Sequence, residues 1–158
     1  MIKDSGCRQE FESGAVRDIQ KGKGRCDLLP FDVAMRMYWQ PFDKAAYVFA
    51  LLSDFVKSGE IMNLKDALEE FATISGLTRE TMLLEVSIHF EEGAEKYGEN
   101  NWQKGLPAKC YINSAVRHFL KYLRGDNDER HDRAFVWNLM CCMWTCIHKP
   151  ELNDYIPK

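Results

Sequence analysis

The stretch HDRAFVWNLMCCMWTCIHK, residues 131–149, decides the fold. Nearly every residue from Phe135 to Ile147 is apolar, so a helix formed here has no polar face for water. A helix that is apolar on all sides is buried, and this apolar run is shorter than the roughly 20 residues that cross a bilayer. Pro150 then ends the helix. We therefore predict a central helix that starts near Asp128, with other helices packed around it.

The segments before this helix have the spacing of amphipathic helices. Apolar residues recur at intervals of three and four within residues 31–39, 43–59, 62–75, 79–98 and 111–125. Asp43 and Thr78 suit N-caps, and Gly125 suits a helix end. No convincing strand pattern or internal repeat occurs. We predict an all-α bundle of antiparallel helices, a single domain over residues 1–158 in which residues 1–30 form an ordered N-terminal arm.

The composition excludes several classes of protein. A chain of 158 residues fits one domain, and its formal net charge of -3 creates no field that attracts nucleic acid or an anionic membrane surface. We therefore expect no stable nucleic-acid binding and no membrane association. Three of the six cysteines lie in the apolar run, no signal peptide precedes them, and no C-x-x-C pair occurs. This pattern favours reduced thiols in a cytoplasmic protein over disulfides or a zinc site.

The stretch HFEEGAEKYGENNWQKG, residues 89–105, is rich in carboxylates. Glu91 and Glu95 follow Leu84 and Ile88 at spacings of four, three and four, so all four share one row of a helix. Because the row begins with apolar residues, we predict that it faces another helix and that both carboxylates are partly buried. A buried carboxylate pair needs a cation, and acids one turn apart suit Mg²⁺ or Mn²⁺.

Two features limit the metal interpretation of this helix. The buried carboxylates could instead form ion pairs with Arg117 or Lys121 across a helix interface. On the opposite face, Glu85, His89 and Glu92 are predicted to be solvated and to form charge pairs along the helix. The favoured metal ligands are therefore the two acids of the apolar row, not their neighbour Glu92.

Polar residues cluster at the start of the predicted central helix. They are Asp128, Glu129, His131 and Asp132, with Asn138 two turns further on. Polar groups in a buried helix must find partners, which are metal, substrate or one another. The concentration of these residues at one end favours a functional site.

The preceding helix brings further polar side chains to this region. His118 lies beside its core stripe, in a row from which it could reach the site. Arg117 and Lys121 share the polar flank, and either a phosphate contact or a solvated face explains these two cations.

The arm and the loop after residue 97 offer candidate nucleotide contacts. In GKGR, residues 22–25, Lys23 and Arg25 are flanked by glycines and can wrap an anionic group. The loop region offers a charge, an amide and a stacking surface in Lys96, Asn101 and Trp102. The alternative for the tryptophan is that it packs the loop onto the bundle.

Four blocks of the sequence resemble one known family. They are GAVRDIQKGKGRCDLLP (14–30), HFEEGAEKYGENNWQKG (89–105), RHFLKYLRG (117–125) and DERHDRAFVWN (128–138). Together they resemble the phage-borne dATP/dGTP diphosphohydrolases, MazZ-type relatives of the MazG-like all-α nucleotide pyrophosphohydrolases. The resemblance implies a MazG-like bundle and Mg²⁺-dependent hydrolysis of purine deoxynucleoside triphosphates to the monophosphate and pyrophosphate. Related proteins occur in phages and prophages, which implies a host cytoplasm.

The resemblance and the helical spacing together predict a set of site residues. The predicted catalytic residues are Glu91, Glu95 and His131. The predicted ligands of Mg²⁺ or Mn²⁺ are Glu91, Glu95, Asp128, His131 and Asp132. The predicted substrate contacts are Lys23, Arg25, Lys96, Asn101, Trp102, Arg117, His118 and Asn138.

The chain departs from the broader MazG-like pattern in two ways. That pattern is E-x-x-E on one helix and E-x-x-D on a later one. Glu92 with Glu95 and Glu129 with Asp132 satisfy it literally, whereas the helical wheel favours Glu91 over Glu92. Residues 42–75 contain none of the four blocks and are expected to be an inserted helical pair.

Two other functions compete with this one. An HD-type phosphohydrolase is suggested by His131 and Asp132, with His89 and His118 upstream, although it needs a later Asp on a helix and only Asp154 is available. A non-enzymatic phage adaptor or regulatory protein would use the acids at a partner interface. Small bundles of this type commonly need a second copy to complete a pocket, so a homo-oligomer is a further expectation.

Overall fold

The computed structural model describes residues 6–37 and 43–156 of the chain. The helices in this part are α1 (Phe31–Met37), α2 (Lys44–Ser58), α3 (Met62–Ser75), α4 (Arg79–Tyr97), α5 (Ala108–Arg124) and α6 (His131–His148). Short 3-10 turns lie at Cys26–Leu28, Asn101–Lys104 and Pro150–Leu152. The prediction of an all-α bundle is confirmed.

The predicted helix ends are confirmed by their capping geometry. Asp43 accepts a hydrogen bond from the Ala45 amide at 2.9 Å, and Thr78 accepts one from the Thr81 amide at 3.2 Å. Each bond satisfies an amide that the first turn of a helix leaves without a partner. Gly125 ends α5 in the left-handed conformation, with φ of 83°.

The central position of α6 is also confirmed. This helix contacts α3, α4 and α5, and Phe135 and Cys142 are fully buried. The Phe135 ring lies 4.6 Å from Phe71 of α3 and 5.2 Å from Phe119 of α5, measured between ring centroids. All six cysteines of the chain are free. None of the helices in the described ranges has the length and apolarity that crossing a membrane requires.

The α2–α3 pair contributes to the same core as α5 and α6. Phe49, Leu52 and Phe55 of α2 and Leu64 and Phe71 of α3 are fully buried in one continuous cluster. The two helices therefore form the helical pair expected within residues 42–75 and pack as part of one core. That this pair is an insertion stays a prediction.

The N-terminal arm contains a hairpin that the sequence did not predict. Strands β1 (Arg8–Glu10) and β2 (Val16–Asp18) pair antiparallel, with Gln9 opposite Arg17. The expectation of an arm without strands was wrong here because each strand has only three residues, too few for an alternating pattern. The Asn101 side chain, 85 positions from Val16, accepts from the Val16 amide at 3.0 Å and donates to its carbonyl at 2.9 Å. Distant side chains thus support the hairpin.

The predicted burial of the row of α4 that begins with Leu84 and Ile88 is wrong. Leu84 is 71% exposed and Ile88 is 37% exposed, and Glu91 and Glu95 on the same row are also exposed. No other helix of the described chain covers that row. The supposedly solvated face points inward instead, where its polar side chains contact partners on α6 and the arm. The contacts are Glu85 with Arg133 at 2.7 Å, His89 with Trp137 at 5.6 Å between ring centroids, and Lys96 with Asp18 at 3.1 Å.

Candidate functional site

A cavity of about 600 Å³ lies where the arm, α4, α5 and the start of α6 meet. Its volume falls within the range of pockets that bind small molecules. Aromatic side chains form much of its wall, namely Phe90, Tyr97, Trp102, Tyr111 and Trp137. Charged and amide side chains from all four elements complete the lining.

Arg17, at the centre of β2, places a cation on one wall of the cavity. Its guanidinium donates to Asn138 Oδ1 at 2.8 Å and to the Cys110 carbonyl at 3.3 Å. It also lies 6.0 Å from the ring centroids of both Tyr111 and Trp137, within reach of cation–π attraction. Neutral groups thus hold Arg17 in place, and no carboxylate within the described ranges forms an ion pair with it.

Arg117 of α5 is a second guanidinium in the same cavity. Its Nη2 atom donates to Ser114 at 3.1 Å and to Gln20 of the arm at 3.4 Å. Its Nη1 atom is buried without any hydrogen-bond partner in the described chain. Burial and then the positive charge of Arg17 lower the pKa of Arg117. Neither arginine forms an ion pair with a described carboxylate, so an anion in the cavity would satisfy both.

Asp18 joins the arm to the end of α4. Its buried carboxylate lies 3.1 Å from Lys96 Nζ, 3.0 Å from Arg8 Nη1 and 3.9 Å from Lys23 Nζ. The Tyr97 hydroxyl donates to it at 3.2 Å. These contacts fix the arm as one wall of the cavity.

Two imidazoles and a carboxylate meet where α5 approaches the start of α6. His118 Nδ1 lies 2.9 Å from His131 Nδ1. Glu129 Oε1 lies 3.5 Å from the first nitrogen and 3.7 Å from the second. The exposed fractions of the three side chains are 12% for His118, 1% for His131 and 15% for Glu129. We call these residues the His–His–Glu group.

The lowered pKa of His118 favours cation binding. Burial and then the charge of Arg117 lower the pKa of His118 to about 2, so its imidazole is neutral at physiological pH. His131 Nε2 lies 2.8 Å from Asp128 Oδ1. A neutral imidazole and a carboxylate are the ligand types that divalent metals use. A second group, Asp126, Asp128 and His131, also has ligand atoms within 4.8 Å of one another.

Most of the predicted site residues do come together in the cavity. The predicted residues that line it are Lys23, Glu91, Asn101, Trp102, Arg117, His118, Asp128 and Asn138. His131 is buried against His118 and joins the site through it. Trp102 packs on Phe90 and Trp144, at 5.3 Å and 5.0 Å between ring centroids. It also lines the cavity, and its contact with a nucleotide stays a prediction.

Four predicted residues are not brought to the cavity. Arg25 forms a two-pronged ion pair with Asp27 at 2.6 and 2.7 Å. Asp132 forms a similar pair with Arg130 at 2.6 and 3.0 Å and lies outside both candidate metal groups. Lys96 pairs with Asp18, and Glu95 is exposed on the outer row of α4. In each case a closer partner or the rotation of α4 directs the side chain away.

The site also contains residues that were not predicted as site residues. Arg17, Asp18 and Trp137 line the cavity, and Glu129 completes the His–His–Glu group. Arg17 and Asp18 follow one another in the arm, where no periodic pattern distinguishes them from surface charges. Glu129 did appear in the polar cluster at the start of the central helix and in the literal E-x-x-D pattern, and both were usable signals.

Comparison with known proteins identifies the family. The family model described as dATP/dGTP diphosphohydrolase, N-terminal, matches residues 67–155. This match includes all of α4, α5 and α6 and thus the helical walls of the cavity, but not the arm. No curated protein and no solved structure matches the chain. Because the match covers more than half of its residues, the chain belongs to the dATP/dGTP diphosphohydrolase N-terminal family.

Proposed function

We propose that the chain hydrolyses purine deoxynucleoside triphosphates, dATP or dGTP, to the monophosphate and pyrophosphate with the help of a divalent metal ion. The observation that carries this proposal is the composition of one cavity. Two guanidiniums without carboxylate partners among the described residues lie in the same space as a cluster of acids and imidazoles. A triphosphate bridged by a metal complements both halves, and the family match supports that substrate.

Arg17 and Arg117 are the proposed phosphate contacts. A guanidinium binds phosphate through parallel N–H bonds, and Arg117 Nη1 has no described partner that such a contact would displace. Lys23 and Lys121 also line the cavity and would add charge at its edges. The purine would stack on the aromatic wall, with Trp102 as the outermost candidate.

The metal would be held by the acids and imidazoles near the start of α6, with Glu91 reaching the same cavity from α4. When bound, a divalent ion neutralises phosphate charge and lowers the pKa of a coordinated water. Glu91 is the candidate base, because it lines the cavity and forms no described ion pair that would compete for a proton. Water would add to the α-phosphorus while the bond to the bridging oxygen breaks, which releases pyrophosphate.

The structure does not favour the HD-type alternative. That site requires Asp132 to join His131 as a metal ligand, whereas Asp132 forms its pair with Arg130. A location in the cytoplasm, of a host cell if the protein is phage-borne, stays part of the proposal.

Pyrophosphate release from dATP and dGTP, measured with Mg²⁺ and with Mn²⁺, tests the proposal. We expect release by the wild-type chain and a loss of about 10- to 150-fold in kcat/KM for Arg17→Met, because one charge-assisted phosphate contact contributes about 1.5–3 kcal/mol. Arg124→Met is the matched control, since Arg124 is exposed and pairs with Asp126 outside the cavity. Absence of release with every purine substrate and both metals would refute the enzyme proposal and favour the adaptor alternative.

A further inference from the structure

We propose that His118, Glu129 and His131 form a nitrogen-rich metal centre that selects a first-row transition ion, such as Fe²⁺, Co²⁺ or Zn²⁺, over Mg²⁺. The inference deepens the proposed function and rests on it only for the role of the ion in hydrolysis. It replaces the ligand set expected from the sequence, which consisted mainly of carboxylates. Binding of the ion is testable without any nucleotide.

The spacing of the three ligand atoms fits one ion. The nitrogens are 2.9 Å apart, and the Glu129 oxygen lies 3.5 and 3.7 Å from them. Atoms that each lie about 2.0–2.2 Å from a common metal are separated by roughly 3 to 3.6 Å. An ion can therefore contact all three with only small side-chain adjustments.

The position of Asp128 provides a second, independent observation. Asp128 Oδ1 lies 2.8 Å from His131 Nε2, whereas His131 Nδ1 faces His118 and Glu129 on the other side of the ring. A carboxylate behind the distal nitrogen of a histidine is the usual arrangement that orients metal-binding imidazoles.

The carboxylate of Glu129 also favours a cation at this position, because it has no Lys or Arg partner in the described chain. Its side chain is only 15% exposed, and the two imidazoles are its ion-pair contacts within the described chain. No described Lys or Arg nitrogen forms a salt bridge with it. A buried carboxylate without a compensating charge is unfavourable, and a divalent ion would remove that penalty.

The competing group of Asp126, Asp128 and His131 is less suited to a metal. Arg124 already donates to Asp126, and Lys121 lies 3.1 Å from Asp128. A metal there would have to displace these cations.

The ligand types determine which ion is preferred. Mg²⁺ favours oxygen ligands and keeps much of its water shell, whereas imidazole nitrogen suits Fe²⁺ and Zn²⁺, and Co²⁺ lies between Fe²⁺ and Ni²⁺ in its affinity for such sites. Two histidines and one carboxylate would leave coordination positions open. His118 and Glu129 both line the cavity, so an ion that they hold would be accessible to the proposed substrate.

Metal titration of the chelator-treated full chain tests the centre directly. We expect calorimetry to show Co²⁺ bound at least about 100-fold more tightly than Mg²⁺, and Co²⁺ to give the visible absorption of a nitrogen-ligated ion. Glu129→Gln and His118→Gln should each weaken Co²⁺ binding at least tenfold, and Asp128→Asn by about 10–100-fold. Asp126→Asn is the control and should bind Co²⁺ like wild type. Circular dichroism of each variant verifies its fold.

Equal affinity for Mg²⁺ and Co²⁺, or wild-type Co²⁺ binding by folded Glu129→Gln and His118→Gln, would overturn the centre. Loss of binding in Asp126→Asn with retention in Glu129→Gln would assign the metal to the competing group. Pyrophosphate release distinguishes the two proposals. Hydrolysis that persists in Glu129→Gln would refute the metal centre but not the proposed hydrolysis. Specific Co²⁺ binding without hydrolysis would refute the proposed hydrolysis but not the metal centre.

Discussion

Replacing Asp18 by asparagine should release the N-terminal arm while leaving the helical bundle folded. Asp18 is buried and contacts Lys96, Arg8 and Lys23, of which Lys96 has the most buried side chain at 8% exposure. The Asp18→Asn side chain keeps its shape and one carbonyl acceptor but loses the negative charge. The core helices α5 and α6 are joined by apolar contacts such as that of Phe119 with Phe135, at 5.2 Å between ring centroids.

The size of the effect follows from the burial of each partner. Loss of the charge from the buried ion pair with Lys96 costs about 3–5 kcal/mol. The ion pairs with Arg8 and Lys23, whose side chains are 32% and 35% exposed, each contribute at most about 1 kcal/mol. Because asparagine retains hydrogen bonding to Lys96 and Tyr97, we take the lower limit of about 3 kcal/mol. At about 1.4 kcal/mol per factor of ten, the docking equilibrium of the arm should shift by roughly 100-fold.

Amide hydrogen exchange measures this shift segment by segment. Protection of the hairpin amides, residues 8–18, should fall by about two orders of magnitude, while protection within α6 stays unchanged. Glu12→Gln is the control, because Glu12 is an exposed arm carboxylate without a described partner. Unchanged hairpin protection in Asp18→Asn would refute the role of this network. A parallel loss throughout α6 would show instead that arm and bundle unfold as one unit.

The remaining predictions concern the cavity. Glu91→Gln should reduce turnover by several orders of magnitude and Glu92→Gln should change it little, as measured by pyrophosphate release; the reverse result would favour the literal E-x-x-E pattern. Lys23→Ala should raise KM for dATP or dGTP, whereas Arg25→Ala should not, because Arg25 pairs with Asp27 outside the cavity; steady-state kinetics compare the two. A purine deoxynucleotide with metal at 100 times its Kd should stabilise the fold by about 2.7 kcal/mol, and a thermal-shift series without any response would contradict binding.

The sequence alone determined the elements that depend on neighbouring residues. Apolar spacing located the helices, and the caps at Asp43, Thr78 and Gly125 set their ends, because these signals act within one turn. The apolar run of α6 identified the central helix, because a helix that is apolar on all sides is unfavourable in water. His131 and Asn138 could be chosen as site residues because polar groups on that helix require partners.

Only the tertiary structure decided how α4 is rotated and what meets across the cavity. The inward face of α4 is polar because it borders a cavity and ion-pair partners, and a polar face of this kind is indistinguishable in sequence from a solvated one. Arg17 and Arg117 line the same cavity although they lie on separate segments of the chain. The contact between His118 and Glu129 likewise joins α5 to the start of α6. Such contacts depend on packing between elements, where the partner of a charge is chosen by distance in space. Local periodicity carries no information about that distance, so the arm hairpin, the arginine pair and the His–His–Glu group became visible only in the folded chain.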